Sequence, residues 1–310
     1  MCAAKRSSPD DPAGLIVIDK PGGMTSHDVV SRVRRLAHTR RVGHGGTLDP
    51  MATGVLVIGV GRATRLLTYV IGADKRYRAT IRLGASTITD DAEGEVIARA
   101  SVSGVSDDAV RAGLAAQIGT ISQVPSAVSA IKINGQRAYA KVRAGESVQL
   151  AARTVTISAI DVLDIRRLRV LDGSDVVDVD VDVACSTGTY VRSIARDLGA
   201  ALGVGGHLAA LRRTAVGAFT LAESVTLDAL TAAVDAGGSA IALSLNDAVD
   251  RFFARRDATL DEALVLSHGG PLAAVGLDGP YAVFGPDGSV IAIVAERDGK
   301  TRAKVVFAPA

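Results

Sequence analysis

D-V-V-D-V-D-V-D-V-A-C, residues Asp175 to Cys185, alternates valine and aspartate from Val177 to Val183. A side-chain period of two predicts a strand with valines on one face and carboxylates on the other. K-R-Y-R-A-T-I-R-L, Lys75 to Leu83, repeats the pattern with the opposite charge. Tyr77, Ala79, Ile81 and Leu83 share one face; Arg76, Arg78, Thr80 and Arg82 share the other. This reads as a half-buried strand with a cationic outer face. Two shorter apolar runs, G-L-I-V-I-D at 14–19 and V-L-V-I-G-V at 55–60, read as buried strands. Helical patterns fall between them without regular βαβ spacing. An α+β fold with a mixed, largely antiparallel central sheet and flanking helices fits best.

Pro21-Gly22-Gly23 turns the chain, and Thr25 or Ser26 is placed to cap a helix running to Ala37. Val29, Val30, Val33 and Leu36 make its apolar stripe. S-T-G-T-Y after Cys185 leads into a second helix from about Val191, with Ile194, Ala195, Leu198 and Leu202 inward. Residues 222–245 are alanine-rich and helical in pattern, broken at Gly237-Gly238. From 247 the character changes to a short helix, T-L-D-E-A-L-V-L-S. Hairpin signals follow at Pro286-Asp287-Gly288 and Arg297-Asp298-Gly299. The division expected is a mobile tail over 1–12, a main domain over 13–246 and a small β-rich module over 247–310.

Composition sets the class. The 310 residues are 48% apolar and 22% charged, ordinary for a soluble protein with a real core. The N-terminal segment lacks the apolar stretch of a signal peptide, and no run is long enough to span a bilayer. Two cysteines, Cys2 and Cys185, support neither a disulfide framework nor a zinc site. A cytoplasmic location is expected. The net charge of +2 hides an asymmetry: residues 1–85 carry 14 Lys/Arg against 6 Asp/Glu, and the remainder 21 against 27. A basic front half suggests a polyanionic partner, with a merely solvated basic surface about equally compatible.

R-V-G-H-G-G-T-L-D-P-M-A-T-G, Arg41 to Gly54, holds the most chemistry per residue. A residue before proline is driven from the α region, so Asp49 is held extended. The surrounding glycines let backbone approach a ligand closely. A rigid carboxylate beside a roomy backbone suits a nucleophile or general base, although an isolated Asp-Pro more often starts an ordinary turn. The loop lacks the Gly-Lys-Ser/Thr ending of a phosphate-binding P-loop. Gly59-Val60-Gly61-Arg62-Ala63-Thr64 lacks the last glycine of a dinucleotide fingerprint. His44 has no metal-spaced companion. Neither a cofactor nor a metal is expected.

Six stretches occur in order: D-K-P-G-G-M-T-S at 19–26, G-H-G-G-T-L-D-P-M-A-T-G at 43–54, D-K-R-Y at 74–77, S-A-I-K at 129–132, G-T-Y-V-R-S-I-A-R-D-L-G at 188–199 and H-L-A-A-L-R-R at 207–213. Together they resemble the TruB family of tRNA pseudouridine synthases, over roughly residues 14–217. The resemblance implies a pseudouridine-synthase-like catalytic domain, a PUA-like C-terminal module, and isomerisation of uridine 55 in the T-loop of tRNA. It makes Asp49 the covalent catalyst, Tyr77 the ring that stacks on a flipped uracil, and Arg192 the partner of the aspartate. A nearby cation typically lowers an aspartate pKa by roughly 1–3 units, so Asp49 is expected to be held ionised.

The same resemblance places His44, Tyr190, Leu211, Lys20 and Lys132 on the substrate. His44 would enter the T-loop, and Tyr190 and Leu211 would line the pocket. For Lys20 a structural role is as much expected as a substrate contact, and Leu211 without the resemblance is plain core. Residues 123–146 resemble a mobile segment that clamps the T-arm, with Lys132, Arg137, Lys141 and Arg143 on phosphates. One departure is Val128, where the family often has an aromatic residue. The partner expected is tRNA, with no membrane, no obligatory protein partner and a monomeric state. Two rivals stand beside this reading: a tRNA-folding chaperone, and a guide-RNA-dependent synthase of ribosome biogenesis.

Overall fold

The computed structural model describes residues 12–126 and 150–307, and the backbone of two short strands, Lys132–Ile133 and Gln136–Arg137. The expected tail lies almost wholly outside the described residues, as do Val128, Lys141 and Arg143. A ten-stranded sheet is the frame. From one edge its order is Leu243–Ser244, Gly14–Lys20, Thr53–Val60, Gly206–Val216, Lys75–Leu83, Asp175–Cys185, Arg153–Arg169 and Gly119–Gln123. Val42–His44 pairs onto Thr53–Val60, and Phe219–Thr220 onto Gly206–Val216. The pairing of Gly206–Val216 with Thr53–Val60 is parallel and the others are antiparallel, so the sheet is mixed and largely antiparallel.

The two alternating stretches are neighbours. Asp178, Asp180 and Asp182 lie directly opposite Arg82, Thr80 and Arg78. Asp178 takes two hydrogen bonds from Arg82, both at 2.7 Å, and Asp180 accepts from Thr80 at 2.7 Å. Asp182 pairs with Arg76, and Arg166 on the next strand pairs with Asp180. This corrects the cationic outer face expected of Lys75–Leu83. Its charges are neutralised across the ladder, each such pair being worth roughly 0.2–1 kcal/mol.

The valine face packs against three helices, Ser26–Leu36, Asp107–Ala115 and Val191–Ala201. The first begins at Thr25, whose hydroxyl accepts from Asp28 N–H while the Asp28 carboxylate accepts from Thr25 N–H, a reciprocal cap. On the opposite face Leu15, Val17, Val55 and Val57 share a core with Ala282, Phe284, Val290, Ile293 and Phe307 of a second, four-stranded sheet. The strands Pro280–Phe284, Val290–Arg297 and Lys300–Val306 of that sheet are joined by the two expected hairpins. The alanine-rich region is less helical than its pattern: a helix at Leu227–Asp235 stops at Gly237, and a short strand precedes a second helix, Leu245–Asp250. No helix among the described residues is long and apolar enough to cross a membrane.

One glycine is indispensable to the frame. Gly54 has φ +98°, and a Cβ there would lie 2.2 Å from the Arg213 carbonyl oxygen, where the parallel strands meet. Gly54→Ala is expected to cost at least about 2 kcal/mol, combining positive-φ strain with backbone displacement. Thermal denaturation measures it; an unchanged Tm would mean the strands need no such close approach.

Candidate active site

Asp49 follows the glycine loop, and three side chains fix that loop from behind. Ser26 Oγ accepts from Leu48 N–H at 2.9 Å and donates to Leu48 O at 3.1 Å. The Lys20 ammonium donates to the carbonyls of Met24, Pro21 and Pro50 at 2.7, 2.8 and 3.2 Å. Arg213 donates to Val55, Gly46 and Thr47 carbonyls at 2.7, 3.1 and 3.3 Å. Lys20 is fully buried with its protons committed to backbone, a geometry that favours the structural role over the substrate contact also expected of it. It is a clamp on the aspartate turn. Burial holds its pKa down at about 8, against the raising influence of Asp49.

Arg192 rises from the first turn of helix Val191–Ala201 and is 5% exposed. Its Nε stands 3.1 Å from Asp49 Oδ2. Its Nη1 lies 3.1 Å from Asp91 Oδ2 and donates to Thr89 O at 2.9 Å. Asp91 is itself fixed by the Thr89 hydroxyl at 2.5 Å and by Glu93 N–H at 3.1 Å. The guanidinium is therefore locked between two carboxylates, one fully buried and one facing the cleft. The sequence reading missed Asp91, because I-T-D-D-A-E-G is a polar turn with no periodicity. It also missed Arg213, although the stretch containing it was singled out.

The Asp49 carboxyl shifts in the direction opposite to the expected lowering. Burial pushes its carboxyl above the usual range; Arg192 opposes that, the Asp91 charge adds to it, and Lys20 and Arg213 oppose it more weakly. The side chain keeps 35% of its surface exposed, so water moderates the push. Desolvation is the largest influence and outweighs the ion pair with Arg192.

Asp49, Arg192, Tyr77, Tyr190 and Leu211 line one cavity of about 490 Å³, within the range of small-molecule sites. Tyr77 and Leu211 are buried on the helix-packed face. Burial raises the Tyr77 phenol, with Arg213 opposing. Tyr190 is held by its backbone: its N–H donates to Gln123 Oε1 at 2.8 Å, and Gln123 Nε2 donates to its carbonyl at 3.1 Å. Ser193 Oγ donates to Val124 O, and Ser126 Oγ to Thr89 O, both at 3.0 Å. The segment expected to clamp RNA thus begins, over 123–126, as fixed structure bonded to the elements that carry Arg192 and Asp91.

His44 does not join the cavity wall. It ends strand Val42–His44 with its ring edge-on to His27 at 5.4 Å, and burial lowers its pKa, favouring the neutral ring. Lys132 and Arg137 lie in two-residue strands, and their side chains are outside the described atoms. Among the described residues no group of three His, Cys, Asp or Glu side chains is arranged to hold a metal.

This sheet, with an aspartate turn and a doubly paired arginine at the cleft, defines a pseudouridine-synthase fold. A chain of the archaeal box H/ACA sRNP Nop10–Cbf5 complex superposes with a TM-score of 0.68 at 26% identity, covering 96% of this chain and 86% of that one. The model of the TruB family pseudouridylate synthase N-terminal domain matches residues 34–191. The model for the tRNA pseudouridylate synthase B C-terminal domain matches 192–249, and that for the C-terminal part of tRNA pseudouridine synthase II matches 253–308. The chain is 53% identical over 306 residues to tRNA pseudouridine synthase B of Arthrobacter sp. (strain FB24), covering 96% of this chain and 97% of that protein. The protein of the same name from Thermobifida fusca (strain YX) is 54% identical over 295 residues, covering 95% and 98%. The chain belongs to the TruB family.

Proposed function

We propose that the chain isomerises uridine 55 in the T-loop of tRNA to pseudouridine, with Asp49 as covalent catalyst. The observation that carries the roles is the Asp49–Arg192–Asp91 arrangement at the wall of a cavity also lined by two tyrosines and a leucine. The reaction breaks the N1–C1′ bond and joins C5 to C1′; the proton leaves C5 and N1 gains one. Atoms and electrons balance without a co-reactant. A uridine in a folded loop is inaccessible, so it is flipped out at a cost of a few kcal/mol. Tyr77 offers a stacking surface worth ~1–3 kcal/mol, enough to offset that cost. Leu211 packs beside the base, and Arg192 orients the carboxylate toward the sugar and base.

The test uses purified protein and an unmodified tRNA transcript, without metal, nucleotide or guide RNA. Pseudouridine mapped to the T-loop supports the reading; binding without conversion makes the protein a folding chaperone, and conversion only with added guide RNA makes it guide-dependent. Identity above 50% over nearly the whole chain to proteins named tRNA pseudouridine synthase B favours action without a guide.

Tyr77→Leu supplies a separate check. Loss of stacking worth ~1–3 kcal/mol predicts a fall in turnover of roughly 5- to 150-fold, with tRNA affinity, set by the rest of the stem-loop, changed less. Equal losses in rate and affinity would remove the stacking role.

A further inference from the structure

Four cations line the catalytic cavity, and three are spent inside the protein. Arg192 serves Asp49, Asp91 and the Thr89 carbonyl. Arg213, 1% exposed, serves three loop carbonyls. Lys75, 8% exposed, donates to the carbonyls of Ile71 and Ala73. The fourth, Arg153, is exposed and makes no hydrogen bond or ion pair among the described residues. Neighbouring arginines on the same sheet do not share this freedom. Arg82 is held by Asp178, Arg76 by Asp182, Arg166 by Asp164 and Asp180, and Arg212 by Asp19.

The root of Arg153 is fixed even though its guanidinium bonds to none of the described residues. It opens strand Arg153–Arg169 and stands in register opposite Gln123, the residue whose amide brackets the Tyr190 backbone. It is thus tied to the same support as Tyr190, which also lines the cavity. We propose that Arg153 is the rim site for a phosphodiester adjacent to the flipped uridine. This rests on the reading that a uridine enters the cavity. The base is neutral, but it carries its two flanking phosphates to the mouth, where they approach the carboxylate of Asp49. A guanidinium at the rim offsets that repulsion, and its planar fork matches two phosphate oxygens. The other three lining cations are buried and bonded to carboxylates or carbonyls.

The experiment measures binding of a T-arm stem-loop RNA against salt, alongside its single-turnover conversion at saturating protein. Arg153→Gln is expected to weaken binding about tenfold and to flatten the slope of log affinity against log salt by about 0.7, the loss of one phosphate contact on a single strand. Conversion at saturation stays within about threefold, and Tm is unchanged because the side chain bonds to nothing among the described residues. Arg153→Lys restores the slope but only part of the affinity. A methylphosphonate placed 5′ or 3′ of the target uridine weakens wild-type binding, and on one of the two sides has no further effect on Arg153→Gln; that side identifies the phosphate. An unchanged salt slope, or additive effects on both sides, overturns the assignment. The binding slope decides Arg153 whether or not the RNA is converted. Wild-type binding without conversion counts against the functional reading alone.

Discussion

Asp49→Asn is expected to abolish pseudouridine formation, with turnover falling at least about 10⁴-fold, the scale seen when a covalent catalyst is removed. Binding of tRNA should stay within about threefold. Asparagine has the shape of aspartate and keeps the turn that Ser26, Lys20 and Arg213 hold through backbone atoms. What it lacks is an anionic oxygen. The pKa direction adds a sign. Because burial raises the Asp49 carboxyl, the folded state holds its proton more tightly than the unfolded state. Stability contributed by that proton is present at low pH and lost as pH rises from the usual carboxylate range through the raised value. Asp49→Asn should therefore show no such decline and be at least as stable near neutrality. In the proposed role the ionised form is the one that reacts, so wild-type kcat/KM should rise with pH through an acid limb above the usual carboxylate range. A pH–rate profile, urea melts at several pH values and pseudouridine mapping check the three statements; conversion by the Asn variant at the wild-type rate would remove Asp49 from the chemistry.

The parts of this molecule visible in its sequence are those governed by local rules. The period of two in Lys75–Leu83 and Asp175–Cys185 located two adjacent strands to the residue. Thr25 announced a helix start, and the proline after Asp49 marked its turn. The sheet's central strand, Gly206–Val216, was not legible, because register shifts at Leu208/Ala210 and Arg213/Ala215 break its alternation. Arg153–Arg169 was missed for the same reason, with shifts of its own. Charge was the least readable feature. A strand with four outward polar residues looks cationic until an acidic strand is laid beside it. For Lys20 the sequence leaves a structural role and a substrate contact both open, and only tracing its protons to three carbonyls favours the first. Asp91 gains meaning only from Arg192, which lies about a hundred residues further along the chain.

Arg192→Met tests that long-range pair, and its effects should be large in both stability and rate. The guanidinium is 6% exposed in its side chain and stands between Asp49 and Asp91, the latter 4% exposed. Removing it leaves one carboxylate buried without its cation, a change that typically costs about 3–5 kcal/mol. The two carboxylates, no longer separated by positive charge, then oppose each other's ionisation, and one holds its proton to higher pH. The acid limb of kcat/KM should move further up, and turnover at neutral pH should fall by about 10²- to 10³-fold, the scale of losing one preorganised electrostatic partner. A merely structural arginine would lower Tm without moving the acid limb. Arg192→Met combined with Asp91→Asn separates the two contributions. Removing the stranded charge should recover much of the Tm, while turnover stays low because Asp49 still lacks its orienting donor. If the double variant regained both, Arg192 would be a counter-ion to Asp91 alone, and the carboxylate in the cleft would need no partner.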